Sequence, residues 1–95
     1  MDKELIKSEI KTNVYHITFE SDVKLHKHHN YDEIFYCLKG AGYGVLENSE
    51  KKLEVGDEFI VKKNTMHSLH SDSEMWIASV LIPCIKEEPN IGDLN

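Results

Sequence analysis

The sequence contains no arginine: its 11 basic residues are all lysine, set against 17 Asp and Glu for a formal net charge of -6. Contacts to a nucleic-acid backbone need clustered positive charge, so the composition argues against nucleic acid as a partner. The lack of guanidinium groups also disfavours enzymes that clamp 2-oxoglutarate or an amino acid by its planar carboxylate, a task suited to bidentate Arg. Lys24 is the expected point-charge substitute. Long hydrophobic runs are missing too. The longest, about Met75 to Ile82, is interrupted by Ser79 and is too short to span a bilayer. The opening MDKELIKSEIK has no apolar stretch followed by a small-residue cleavage site, so no signal peptide is read there and a cytoplasmic location is expected. Cysteine is scarce, and in that compartment Cys37 and Cys84 are read as thiols rather than a disulfide. A chain of 95 residues makes one small domain, of a size at which burial alone is marginal, so a bound metal or a dimer interface would add stability.

What the chain does have is turn chemistry at short intervals. Ser21-Asp22, Asn30 to Asp32, Gly40 to Gly42, Asn48-Ser49, Gly56-Asp57, Asn64-Thr65 and Ser71 to Ser73 separate segments rich in β-branched and aromatic residues. Those segments are Val14 to Glu20, Val23 to His29, Glu33 to Leu38, Tyr43 to Glu47, Lys51 to Glu54, Glu58 to Lys62, Met66 to His70 and Met75 to Ile82. Evenly spaced short strands predict an all-β sandwich or barrel, its core over about residues 13–82. A helical turn has room only within residues 3–11. The polar tail over residues 83–95 is expected to form a loose end or an arm onto a neighbour. The GAGYG run from Gly40 reads as a hairpin turn, without the strand-to-helix context of a phosphate-binding loop.

Within this pattern His26-x-His28, Glu33 and His67 offer three imidazoles and a carboxylate. Side chains alternate along a strand, so His26 and His28 point to one side. Asn30 and Asp32 let the chain fold back and present Glu33 from a second strand, and His67 would come from a third. That is the layout of a metal site on a β-scaffold. His16, His29 and His70 lack such company and are read as solvated or hydrogen-bonded structure.

The spacing resembles the first motif of the cupin superfamily, which in this chain runs His26-x-His28, Glu33, Gly40; the second motif begins at Gly56 and reaches its histidine at His67. The family's usual proline and glycine ahead of that histidine correspond to Lys62 and Asn64, and its glycine before the first motif to Glu20. Asn64 is the milder departure, because Asn tolerates a left-handed turn. The resemblance implies a cupin-like double-stranded β-helix, or jelly roll, with His26, His28, Glu33 and His67 as metal ligands.

Three imidazoles and a carboxylate suit one divalent transition metal: iron, manganese, nickel, cobalt, copper or zinc. On a six-coordinate ion they leave positions open for a substrate; on a four-coordinate zinc they close the site. Alternation sorts the lining. Phe35 and Cys37 share the face of Glu33, Leu69 and Ser71 that of His67, and Lys24 that of His26 and His28. In the last strand either Trp76, Ala78 and Val80 or Met75, Ile77 and Ser79 face the cavity. Lys24, Phe35, Cys37, Tyr43, Leu69 and Trp76 are the pocket candidates. Cys37 reads as a small buried hydrophobe rather than a nucleophile or ligand. No general acid or base is identified apart from the metal, and a small, mostly apolar or neutral polar substrate bound through oxygen is expected. The function expected is a metal-dependent enzyme of the dioxygenase, isomerase or decarboxylase type, the alternative being a non-catalytic metal- or ligand-binding module. A homodimer is also expected, through Met75 to Ile82 and the alternating Tyr15, Ile17 and Phe19.

Overall fold

A computed structural model describes residues 10–21 and 23–84. Seven antiparallel strands carry the chain: β1 (Lys11–Thr18), β2 (Val23–His26), β3 (Tyr31–Leu46), β4 (Glu50–Glu54), β5 (Glu58–Val61), β6 (His67–His70) and β7 (Glu74–Pro83). The N-terminal half of β3 pairs with β7 and β5, and β7 also pairs with β1, giving a first sheet in the order β1-β7-β3-β5. The C-terminal half of β3 pairs with β4 and β6, and β6 with β2, giving a second sheet in the order β4-β3-β6-β2. The result is one curled sheet folded on itself, the double-stranded β-helix of the sequence reading. Residues 1–9 and 85–95, which hold most of the expected helical turn and most of the tail, lie outside the described residues; Lys11 opens a strand.

The corner between the sheets is where a hairpin was expected. GAGYG does not reverse the chain; it lies inside the 16-residue strand β3. A register shift between Cys37 and Lys39 and a left-handed Gly40 (φ 79) bend the strand so that it leaves one sheet and enters the other. A side chain at Gly40 would collide with the carbonyl oxygen of Glu74, so glycine is needed for approach as well as for conformation.

Between the sheets lies a core of Ile17, Phe35, Cys37, Leu53, Phe59, Val61, Leu69, Met75 and Ile77. Alternation in β7 is therefore settled: Met75, Ile77 and Ser79 are buried, while Trp76, Ala78 and Val80 take the outer face. Ile17, Met75 and Ile77, expected at a dimer surface, belong to this core, and Tyr15 packs against it. The outer face of the first sheet instead exposes Val14, Tyr36, Leu38 and Ile60. Among the described residues no helix is long and apolar enough to cross a membrane.

Candidate metal centre

Four residues meet at the open end of the sandwich, and each arrives by a different route. His67 is the first residue of β6 and pairs across the ladder with His26, the last of β2. Glu33 is the third residue of β3, in the opposite sheet. His28 lies past the end of β2, in the loop to β3, so strand alternation does not place it. The Asn64 turn does: its backbone N–H donates to the His28 carbonyl at 2.6 Å, and its Oδ1 accepts from His29 Nδ1 at 2.9 Å. Asn64 holds the left-handed conformation (φ 66) that its type tolerates.

One ligand atom from each of His26, His28, Glu33 and His67 lies within 4.8 Å of the others. Glu33 and His67 are buried, His26 and His28 half-buried, so the cluster has a closed floor and an open side. The donors fit a divalent cation. His26 Nδ1 donates to the Lys24 carbonyl at 2.7 Å and His67 Nδ1 to the Thr65 carbonyl at 2.8 Å, leaving Nε2 of both rings for the centre. His67 Nε2 donates to Glu33 Oε1 at 3.0 Å, and His28 Nε2 lies 3.2 Å from the same oxygen. The other carboxylate oxygen, Oε2, accepts a 2.5 Å hydrogen bond from the Ser79 hydroxyl.

Both ring nitrogens of His67 face oxygen atoms, the Thr65 carbonyl and the Glu33 carboxylate, an arrangement that favours the protonated ring. Burial alone would lower its pKa; the hydrogen bonds to Glu33 and the Thr65 carbonyl, with the Glu33 charge, outweigh burial and raise it. Burial would likewise raise the Glu33 carboxyl, but hydrogen bonds from His67 and Ser79 and the neighbouring imidazoles hold it below the ordinary value. A divalent ion held by these residues would compete with the His67 proton for the ring and the carboxylate. Tyr15, half-buried on β1, has its phenol pushed up by burial first and then by the charge of Glu33.

The pocket candidates divide. Phe35 lies 5.8 Å from the His67 ring, centroid to centroid, and Leu69, two residues beyond His67 in β6, is buried in the core. Lys24 is exposed: between Val23 and His26 the ladder to β6 shifts register, and the extra residue reverses the parity that had placed Lys24 beside His26. Cys37 is fully buried among core residues, its Sγ donating to the carbonyls of Lys39 and Gly40, and burial raises its pKa. It is core, as its small apolar character predicts, and not lining. Tyr43 is not lining either, because Gly42 and Gly44 take the inward positions on its strand. Tyr43 stacks on His70 beside a hollow of about 100 Å³ that shares no residue with the cluster. Trp76 stacks on His16 at 4.0 Å, on the outer face of the first sheet. His16, His29 and His70 bond to Glu74, Asn64 and Asp72, the structural roles read for them. The sequence left Ser79 in one of two sets that could face the cavity without giving it Glu33 as a partner, and it did not connect Tyr15 with the site. Ser79 left a signal as the hydroxyl that breaks the apolar run of the last strand.

A β-sandwich with imidazoles and a carboxylate converging at one end defines a class of proteins built around a small, partly enclosed centre. The sequence matches the cupin domain family over residues 15–82, and the chain belongs to that family. It is 39% identical over 57 residues to the pectin degradation protein KdgF of Dickeya dadantii, a stretch covering 60% of this chain and 49% of that protein. It is 33% identical over 51 residues to an uncharacterized protein of Methanocaldococcus jannaschii, covering 54% of this chain and 41% of that one. The matched stretches thus span less than half the length of these relatives. In fold it is similar to a predicted oxalate decarboxylase from Thermotoga maritima, with a TM-score of 0.74 at 23% identity over 88% of this chain and 76% of that one.

Proposed function

We propose that the protein binds one divalent transition ion through His26, His28, Glu33 and His67 and uses it as an enzyme acting on a small molecule. The convergence of four ligand atoms within 4.8 Å, from two sheets and a loop, carries this reading. The ion would supply Lewis acidity or oxygen activation to a substrate bound through oxygen. The chain's own residues then have distinct tasks. The Lys24 and Thr65 carbonyls hold two imidazoles in the ligating tautomer, Ser79 orients Glu33, and Phe35 keeps water from the buried side. The open side, flanked by His26 and His28, is where a substrate enters.

The test loads metal-free protein separately with iron(II), manganese, nickel, cobalt, copper and zinc. Product formation is then followed across a panel that includes pectin breakdown products, for the likeness to KdgF, and oxalate. Turnover with one ion and none in the metal-free form is the expected result. One bound ion without turnover on any compound would move the reading to a non-catalytic metallo-module. Equal metal content in wild type and His28→Ala would remove the site assignment itself. The same reading includes a cytoplasmic homodimer with a complete centre in each chain.

A further inference from the structure

The inner face of the first sheet continues past the cluster to its open end. Lys11 pairs with Leu81 in β7, and Leu81 pairs on its other side with Glu33, so Lys11, Leu81 and Glu33 form one row across three strands. Residues in such a row project to one face, and Lys11 therefore stands on the face that carries Glu33. A contact fixes this independently. Lys11 Nζ lies 5.5 Å from the centroid of the Tyr31 ring, and Tyr31, two residues before Glu33 in β3, shares its face. Adjacent strands are ~4.8 Å apart, which places the Lys11 and Glu33 backbones ~10 Å from each other. A lysine side chain covers part of that gap, and the remainder suits a short carbon chain.

We propose that Lys11 anchors the far carboxylate of a small dicarboxylate whose near carboxylate meets the metal centre. This rests on the metal-centre reading above. A divalent ion and the Glu33 carboxylate together would leave a single positive charge, and the Lys11 ammonium adds a second farther along the same face. The pair complements a molecule with an anion at each end. This departs from the small, mostly apolar or neutral polar substrate expected from the sequence, where Lys24 was the lysine considered as a point charge and the β2 bulge turns it to solvent. Asn13, opposite Ser79, and Tyr15 continue along the face of Lys11 and offer neutral hydrogen-bonding groups to the chain between the two carboxylates.

Glutarate and monomethyl glutarate separate the possibilities. They share a carbon skeleton, glutarate does not chelate one ion in a small ring, and only glutarate has the second charge. Cobalt(II)-loaded protein is titrated with each, followed by calorimetry and by the visible cobalt spectrum, with metal content measured in every sample. Wild type should bind glutarate roughly tenfold more tightly than the monoester, the worth of one charge-assisted hydrogen bond. Lys11→Met should bring the two to equal affinity while the monoester's own affinity and cobalt perturbation stay unchanged. Lys11→Arg should retain the preference, and so should Lys24→Met, which changes net charge equally. A wild type without the preference, or a Lys11→Met protein that keeps it, overturns the proposal while a full complement of cobalt leaves the metal centre standing. A wild type that takes up no cobalt overturns both.

Discussion

Ser79 Oγ donates to Glu33 Oε2 at 2.5 Å from the strand adjacent to Glu33's own, with both residues buried. Removing that hydroxyl in Ser79→Ala leaves a buried carboxylate oxygen without its donor, a cost of about 1–3 kcal/mol in stability. It also frees Glu33 to rotate, and partners of this kind are worth roughly 10- to 100-fold in metal affinity. Ser79→Thr, which keeps the hydroxyl, should recover most of the affinity. Metal titration of the three proteins is the check, and equal affinities in all of them would separate Ser79 from the centre.

Asn64 offers two substitutions with different outcomes. Asn64→Gly keeps the left-handed turn and the N–H that holds the His28 carbonyl, but loses the bond to His29. It should weaken metal binding by roughly fivefold, the worth of one hydrogen bond, with little change in melting temperature. Asn64→Ala adds the strain of a left-handed alanine, ~1 kcal/mol or more, and should lower the melting temperature as well. If alanine melts no lower than glycine, the turn is not held as described.

The metal-free protein should respond to pH in a way the loaded one does not. The folded-state pKa of His67 is raised, so its contribution is fully present below the ordinary histidine value of 6.5 and is lost as pH climbs through the raised value. That of Glu33 is lowered, so its contribution is present above the ordinary carboxylate value and is lost as pH falls through the lowered one. The chelated protein is then most stable between the ordinary carboxylate and histidine values, and it loses stability as pH rises above 6.5 and through the raised His67 value. With an ion in place of the proton this alkaline loss should vanish, and the loss in acid should steepen. Melting curves of chelated and loaded protein that run parallel across this range would contradict the account.

The exposed Val14, Tyr36, Leu38 and Ile60 on the outer face of the first sheet suit a two-fold interface between copies. Wild type should scatter light as a dimer at micromolar concentration, and Ile60→Glu, on the edge strand β5, should shift it toward the 11.0 kDa monomer without loss of metal. A monomeric wild type would end the dimer reading and leave the centre untouched.

The motif spacing named His26 and His28 although a bulge precedes one and the other lies past the strand end, whereas the inward parity of Glu33 with Phe35 and of His67 with Leu69 was legible in the sequence, because those stretches are uninterrupted by bulges. Lys24 was misplaced for the opposite reason. One extra residue between Val23 and His26 reverses a face and leaves no mark in composition. GAGYG misled because a hairpin and a bent strand both call for small residues, and only the pairing of Ala41 with Glu54 and of Gly40 with Met75 tells them apart. Lys11 could not be assigned a role from sequence, since its importance lies in a row of partners from two distant strands.

The corner in β3 has a mechanical consequence. The two sheets are continuous through Gly40 at one end, whereas at the other His26 and His67 stand on the second sheet and Glu33 on the first. A cation held by all three residues is a clasp across the free edges of a folded leaf whose spine is β3. Withdrawing it leaves the spine intact and lets the leaves part, so the amides of β2, an edge strand paired only with β6, should exchange with solvent faster in the chelated protein than those of β7, which is flanked on both sides by β1 and β3.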